Sequence, residues 1–422
     1  RGILTGMRIL LLNEYYPPDT SATAKMAEQV AEALARKHRV TVLAGRPSYD
    51  PAEFYSWRLL RREIRNGVTV ERVGSTAYSR HRMRRRVANY LSYLALAVPR
   101  ALAIRADAVL AMTDPPVAGI AGAAVACIAG RPFVYNIRDL YPEMALAGEI
   151  VQPSAWIARW EALHRRALKS AARVIVLGDD MRERILAKGV PPDRVVVVRD
   201  GTLLPFRALD VSDPESQRVL CEIRGNFPFV VLHAGNLGFY GAWDTLIEAA
   251  KILRNENIGF VFIGDGAQKR KIEESAAGLP NVRFLPYRPA SQIPLVMMAG
   301  DVHVITIRRG LEGVVVPSKL YSTLAAGRPV LAVAAANSDA ARIATGSDCG
   351  VAADPDDPMA VAASILRMRD DPARVAEMSA RARAVAPNYA RVAQLERFTE
   401  ILEQVVPSPV GGEPSGMTGK SS

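Results

Sequence analysis

The chain reads as an α/β protein of two domains, each built on a parallel sheet, and three observations predict it. Short, branched apolar runs recur and are each followed by a stretch of helical period, the alternation that builds parallel sheets. The 422 residues, 49% of them hydrophobic, suffice for two full cores. Polar or glycine-bearing turns follow several strands, at the carboxyl ends where open parallel sheets place ligands.

In the first domain, residues 8–13 form a buried strand, 17–22 a loop, 23–37 a helix and 40–44 the next strand. A basic, hairpin-like or irregular stretch spans 57–73, and a long helix covers about 83–105. Strand 108–112 ends at Thr113-Asp114-Pro115-Pro116, and strand 133–137 ends at Arg138-Asp139-Leu140-Tyr141-Pro142-Glu143. Helix 154–170, strand 173–177, helix 180–188 and strand 195–198 complete this half.

A linker at 201–212, containing Pro205, opens the second domain. Strand 229–234 meets Gly235-Asn236-Leu237-Gly238 with helix 243–253 behind it. Strand 260–263 meets Gly264-Asp265-Gly266 with helix 267–277 behind it, and strand 282–284 precedes Tyr287-Arg288. Strand 301–307 gives way to a break at 308–313 and a second apolar run at 314–316. Pro317 then fixes the chain, and Ser318 is expected to cap a helix that stops at Gly327. The free N–H groups of such a helix start attract phosphate. Lys319 lies in its first turn, where a cation is disfavoured unless an anion neutralises it, and Arg308 and Arg309 add charge nearby. Two glycine turns and one helix start at the same sheet edge make a nucleotide-sized cleft the expected site. Asp265 is expected to hold its own turn.

Composition narrows the classes. The net charge of +11 is uneven: Arg58, Arg61, Arg62 and Arg65 form one cluster, and Arg80, Arg82, Arg84, Arg85 and Arg86 precede the apolar, aromatic stretch 90–96. Such a run fits an anionic membrane surface. With no helix-turn-helix, zinc-finger or single-strand-binding signature, nucleic acid is not expected as a partner. Three scattered cysteines point to a reducing, cytoplasmic setting, and no histidine pairing suits a metal. There is no Walker A sequence, and no GxGxxG opens the chain, which argues against an ATPase and a standard dinucleotide oxidoreductase. As a helix, residues 117–130 would span about 21 Å, short of a bilayer core of about 30 Å. No secretory leader is expected; residues 1–6 read as an extension and 407–422 as a disordered tail.

Six segments carry a resemblance: NEYYPPD from Asn13, RDLYPE from Arg138, HAGNLG from His233, FIGDGAQK from Phe262, NVRFLPYRP from Asn281 and PSKLYSTLAAGRPV from Pro317. Over about residues 7–405 the chain resembles retaining, nucleotide-sugar-dependent glycosyltransferases of the GT-B fold, in the glycosyltransferase family 4 branch of colanic-acid and O-antigen L-fucosamine transferases. The resemblance implies two Rossmann-like domains facing each other across a cleft. Residues 7–200 would form the acceptor side and 201–388 the nucleotide-sugar side, with a helix at 389–405 crossing back. It implies a UDP-sugar donor, with GDP open, and no metal or other cofactor. The implied acceptor is a saccharide on a polyprenyl-type lipid at the cytoplasmic membrane face, bound by a monomer or homodimer. A soluble small-molecule acceptor and nucleotide-sugar binding without turnover are the alternatives.

The resemblance also assigns residues. Asn236, Gly238, Gly264, Asp265, Gly266, Pro317, Ser318, Leu320 and Ser322 would line the donor, and Tyr287 with Arg288 the base. Relatives carry Arg and Lys where this chain has Asn236 and Tyr240, so Lys319 is assigned to the diphosphate, supported by Arg288, Arg308 or Arg309. Two family glutamates fall near Val314 and at Ser322; Glu312, close but out of register, is assigned to donor sugar hydroxyls. Asp139 would orient or deprotonate the acceptor, and Glu143 would pair with Arg138, which replaces a common histidine. Thr20-Ser21-Ala22 replaces paired glycines, with hydroxyls in place of backbone contacts to phosphate or acceptor. Retention would come from front-face attack assisted by the leaving phosphate.

Overall fold

The computed structural model describes residues 6–48, 58–78, 82–205 and 211–406. The first half runs β1 (Arg8–Leu12), α1 (Ala22–Ala35), β2 (Arg39–Ala44), β3 (Leu60–Arg65), β4 (Val68–Val73), α2 (Met83–Ala103) and β5 (Ala108–Ala111). It continues through α3 (Ala118–Ala129), β6 (Phe133–Asn136), α4 (Glu143–Ala147), α5 (Ala155–Ser170), β7 (Arg173–Val176), α6 (Asp179–Ala187) and β8 (Val195–Val197). These eight strands form one sheet in the order β3-β4-β2-β1-β5-β6-β7-β8. Each described pairing is parallel except β3 with β4.

The second half runs α7 (Pro214–Arg224), β9 (Phe229–Ala234), α8 (Trp243–Ile252), β10 (Ile258–Ile263), α9 (Lys269–Ser275), β11 (Val282–Leu285) and α10 (Ile293–Ala299). After these come β12 (Val302–Thr306), α11 (Lys319–Ala325), β13 (Val330–Val333), α12 (Asp339–Gly346), β14 (Gly350–Ala353), α13 (Pro358–Asp370), α14 (Pro372–Val385) and α15 (Arg391–Val405). The second sheet has six strands, all parallel, in the order β11-β10-β9-β12-β13-β14. The two Rossmann-like units face each other across a cleft, the GT-B arrangement.

The basic stretch before residue 73 resolves into a hairpin. Asn66 and Gly67 take φ of 48° and 83°, the left-handed pair that a two-residue β-turn requires, and they reverse β3 onto β4. The arginines there are used locally: Arg61 approaches Glu63, Arg62 approaches Glu71, and Arg65 approaches Glu28. Trp57 and Arg80 lie outside the described residues, as do residues 1–5 and 407–422.

The facing loops share one apolar cluster. Leu140, Met181 and Ile185 of the first unit pack with Ile307, Leu311, Val314 and Val315 of the second. After Tyr389 the chain returns to the first unit, where Phe398, Ile401 and Leu402 of α15 join Met26, Val30 and Leu34 of α1 in one core. Gly201 takes φ of 61° at that crossing, and a Cβ there would stand 2.5 Å from the Tyr389 carbonyl oxygen. Residues far apart in sequence thus make the joint between the units.

Candidate functional site

The donor side starts from two glycines. Gly235 and Gly264, each one residue past a strand, take φ of 140° and 146°, which side chains rarely adopt. This lets the loops stack: Gly235 N–H donates to the Ile263 carbonyl at 2.7 Å, and Leu237 N–H donates to the Asp265 carbonyl at 2.9 Å. A Cβ on Gly264 would lie 1.9 Å from the Gly235 carbonyl oxygen. Gly264→Ala is therefore expected to push the loops apart and cost about 1–3 kcal/mol, read as a lowered unfolding midpoint with weaker nucleotide binding. Asp265 does hold its turn, accepting from Gly266 N–H at 2.8 Å.

Lys319, the first residue of α11, lies directly over the first glycine loop. A Cβ on Gly235 would fall 1.7 Å from its Cε and 2.5 Å from its Nζ, so only glycine leaves the lysine room. Desolvation pushes the ammonium pKa down to about 8. Its charge also helps keep the buried His233 ring neutral, after burial itself. Beside it, Tyr240 donates its hydroxyl to the Asn236 carbonyl at 2.8 Å, and the Trp243 indole donates to the Gly238 carbonyl at 2.6 Å. Asn236 is exposed, Pro317 is half-buried, and Leu320 is buried in the core behind α11.

Several expectations for neighbouring residues are corrected. Ser318 stands at the N-cap position with αR geometry and makes no side-chain cap, so α11 begins without it. Arg288 donates to Glu222 of α7 at 2.6 Å, a helix the sequence reading passed over, so its charge is already met. Tyr287 is 57% exposed, its hydroxyl 3.4 Å from the Asp265 carbonyl. Arg309 is committed to Asp354 and Asp356. Arg308 reaches the Ala147 carbonyl of α4 at 2.9 Å and clips the two units together. Ser322 meets the Thr202 hydroxyl at 3.1 Å, on the linker between the units.

Glu312 departs furthest from expectation. Its carboxylate, only 7% exposed as a residue, accepts from Gly310 N–H at 3.0 and 3.1 Å and lies 3.9 Å from Arg184 of α6. Arg184 also donates to the carbonyls of Glu312 and Gly310. Gly313, at φ of 69°, backs onto Asp180, and Leu140 N–H donates to the Val314 carbonyl at 3.1 Å. Glu312 thus ties down the loop that joins the units through Gly310 N–H and Arg184.

On the facing side, the Asp139 carboxylate has no hydrogen-bond partner among the described residues. Burial, then the charge of Asp114, pushes its pKa up to about 6; Arg138 opposes this and Asp200 adds to it. Arg138 spends its guanidinium on Asp200, at 2.7 and 2.8 Å. The expected pair of Glu143 with Arg138 is replaced by Glu143 with Lys188, at 2.5 Å. Ser21 caps α1 by accepting from Ala24 N–H at 3.0 Å, which uses its oxygen as an acceptor and leaves its O–H to donate. Burial above all, then Tyr287 and Asp139, push the pKa of the Tyr240 hydroxyl up.

The sequence reading missed a polar joint between the units. Arg199 bridges Asp179 and Asp339 at 2.7 Å each, and Asp180 accepts from Asp339 N–H at 2.9 Å. These charges sit on distant elements with no spacing that signals them. Among the described residues, no group of three His, Cys, Asp or Glu converges as a metal site, and no helix is long and apolar enough to cross a membrane.

Comparison with known proteins follows the same division. Residues 21–201 match the glycosyl transferase 4-like domain model, and residues 228–371 match the glycosyl transferases group 1 model. The chain is 25% identical over 341 residues to the colanic acid biosynthesis glycosyl transferase WcaI of Escherichia coli, covering 76% of this chain and 82% of that protein. It is 28% identical over 307 residues to the glycosyltransferase WbjE of Pseudomonas aeruginosa, covering 70% and 74%. Among solved structures, Anabaena HepE in complex with UDP and glucose aligns with a TM-score of 0.67 at 20% identity, covering 94% of this chain and 100% of that one. Sucrose-phosphate synthase from Thermosynechococcus elongatus aligns with a TM-score of 0.70 at 16% identity, covering 94% and 98%.

Proposed function

The chain is a glycosyltransferase of the GT-B class, related to the glycosyltransferase 4 family and colanic-acid-type enzymes, and we propose that it moves a sugar from a UDP-sugar to a hydroxyl of a lipid-linked saccharide. The observation that carries this reading is Lys319 lying over Gly235, without a carboxylate partner among the described residues, beside two stacked glycine loops. A desolvated lysine is a poor resident of an empty site and a good partner for a diphosphate. UDP is favoured because the structurally similar HepE was solved with UDP and with UDP-glucose.

As the bond between the anomeric carbon and the donor phosphate breaks, charge develops on the leaving oxygen, and Lys319 with the loop N–H groups stabilises it. Asp139 across the cleft orients the acceptor hydroxyl, whose oxygen bonds to the anomeric carbon from the same face. Its proton passes to Asp139 or to the leaving phosphate, and the configuration is retained. UDP-linked fucosamine is among the first donors to test, given the branch that the sequence motifs resemble. Arg82, Arg84 and Arg85, exposed on the first turn of α2, support work at an anionic membrane surface on the cytoplasmic side.

The test is a screen of nucleotide sugars for protection against thermal unfolding, followed by UDP release with a lipid-linked saccharide. A ligand at 100 times its Kd stabilises by about 2.7 kcal/mol, so a matching UDP-sugar is expected to raise the midpoint clearly. Protection by no UDP-sugar would contradict the donor assignment. Vesicle binding unaffected by neutralising Arg82, Arg84 and Arg85 would contradict the membrane assignment.

A further inference from the structure

A second cavity, of about 230 Å³, opens in the second unit at the amino ends of β12 and β13, the opposite end of the sheet from the glycine loops. Leu204, Pro294, Met298 and Ala325 give it apolar walls, and Arg328 and Arg383 charge it. Among the described residues, no acidic side chain lines it. A liquid water takes about 30 Å³, so the space equals about eight waters. That suits a small ion with a short body, since sites for drug-sized ligands begin at about 300 Å³.

Each arginine is placed by a local device. Gly327 follows α11 at φ of 64°, and a Cβ there would fall 2.6 Å from both Cγ and Nη1 of Arg383, so that side chain lies over the glycine. Arg383 stands in the last turn of α14, where the helix field favours a cation. Arg328, next after Gly327, donates from Nη2 to the Met298 carbonyl at 2.6 Å, near the end of α10. These contacts set where the side chains lie and leave their charge unmet: among the described residues, neither guanidinium has a carboxylate partner. Asp301, whose charge reaches Arg328, is itself paired with Arg224 at 2.8 Å. Burial above all holds the Arg328 pKa below its usual value; Asp301 opposes this, and the like charges of Arg224 and Arg383 add to it.

We propose that this cavity binds a small phosphate monoester, its head held between Arg328 and Arg383 and its short carbon body against Pro294 and Met298. A guanidinium presents paired N–H donors to phosphate oxygens, and two guanidiniums meet the charge of about −2 that a monoester carries. The site is distinct from the donor site. Helix α11 runs between them, with Lys319 as its first residue and Ala325 as its last, about 10 Å along the axis.

The test titrates the full chain, saturated with UDP so that the donor loops are filled, with propyl phosphate by calorimetry. Binding is expected, with a loss of at least about tenfold in Arg383→Gln and in Arg328→Gln, since each removes a charged hydrogen bond. Arg383 is exposed, so Arg383→Gln should leave the unfolding midpoint unchanged. Inorganic phosphate is expected to bind more weakly than the ester, and propanol not at all. No binding by wild type, or equal affinity in Arg383→Gln with an intact midpoint, overturns the inference. Inorganic phosphate that binds as tightly as the ester overturns it as well. So does a loss in Lys319→Ala with Arg383→Gln unaffected, because the phosphate would then sit in the donor loops. Arg383→Gln reads the cavity whether or not UDP binds, so failure of the donor reading is a separate result.

Discussion

Lys319→Ala is expected to bind UDP about 10- to 100-fold more weakly than wild type, the worth of a charge-assisted hydrogen bond of about 1.5–3 kcal/mol. Turnover should fall at least as far, because the same ammonium meets the charge that develops on the leaving phosphate. The fold should survive, since the side chain packs over a glycine and removal frees a desolvated cation. No other cation among those expected to share its work is in position to replace it: Arg288, Arg308 and Arg309 are engaged with Glu222, the Ala147 carbonyl and the pair Asp354 and Asp356. Calorimetry with UDP and the unfolding midpoint separate a lost contact from a lost fold. Normal UDP affinity in the variant would remove Lys319 from the site.

Asp139→Asn is expected to lower kcat by about 100-fold or more, the usual scale of a lost general base or acceptor-orienting carboxylate, while UDP affinity changes little. The pH profile carries the sign. The Asp139 pKa is pushed up to about 6, so the carboxylate that receives a proton forms as pH rises through that value. The Lys319 pKa is pushed down to about 8, so the ammonium that pairs with diphosphate is present below that value and lost as pH rises through it. For the free enzyme, kcat/KM should therefore describe a bell with limbs near 6 and 8. Asp139→Asn should flatten the acid limb and Lys319→Ala the alkaline one. An unchanged acid limb in Asp139→Asn would assign that titration to another group.

What was legible in the chain was local. Strands such as Ile258–Ile263, buried throughout, and glycines one residue beyond them follow from periodicity and turn chemistry that a single segment carries. Lys319 stood out because a cation in a helix's first turn is anomalous within its own segment. The helices α12, α13 and α14 went unassigned: α12 is short, and the longer α13 and α14 are alanine-rich with apolar positions that make no clean stripe. Partners across the cleft were invisible for a different reason. Arg184 meets Glu312 across 128 positions, and Arg199 meets Asp339 across 140, so only the fold brings them together. The ties that Glu312 makes were hidden on that account, because an acidic residue near a donor loop looks available until its neighbours are known.

The central claim is that Lys319 and the two glycine loops hold a nucleotide diphosphate. Calorimetric titration of the wild-type chain with UDP and with uridine, at pH 7 and with chelator present, tests it most directly. The account predicts that UDP binds and that uridine, lacking the diphosphate, binds at least about 100-fold more weakly, consistent with two or more charged contacts. Equal affinities, or no heat from UDP, would contradict it.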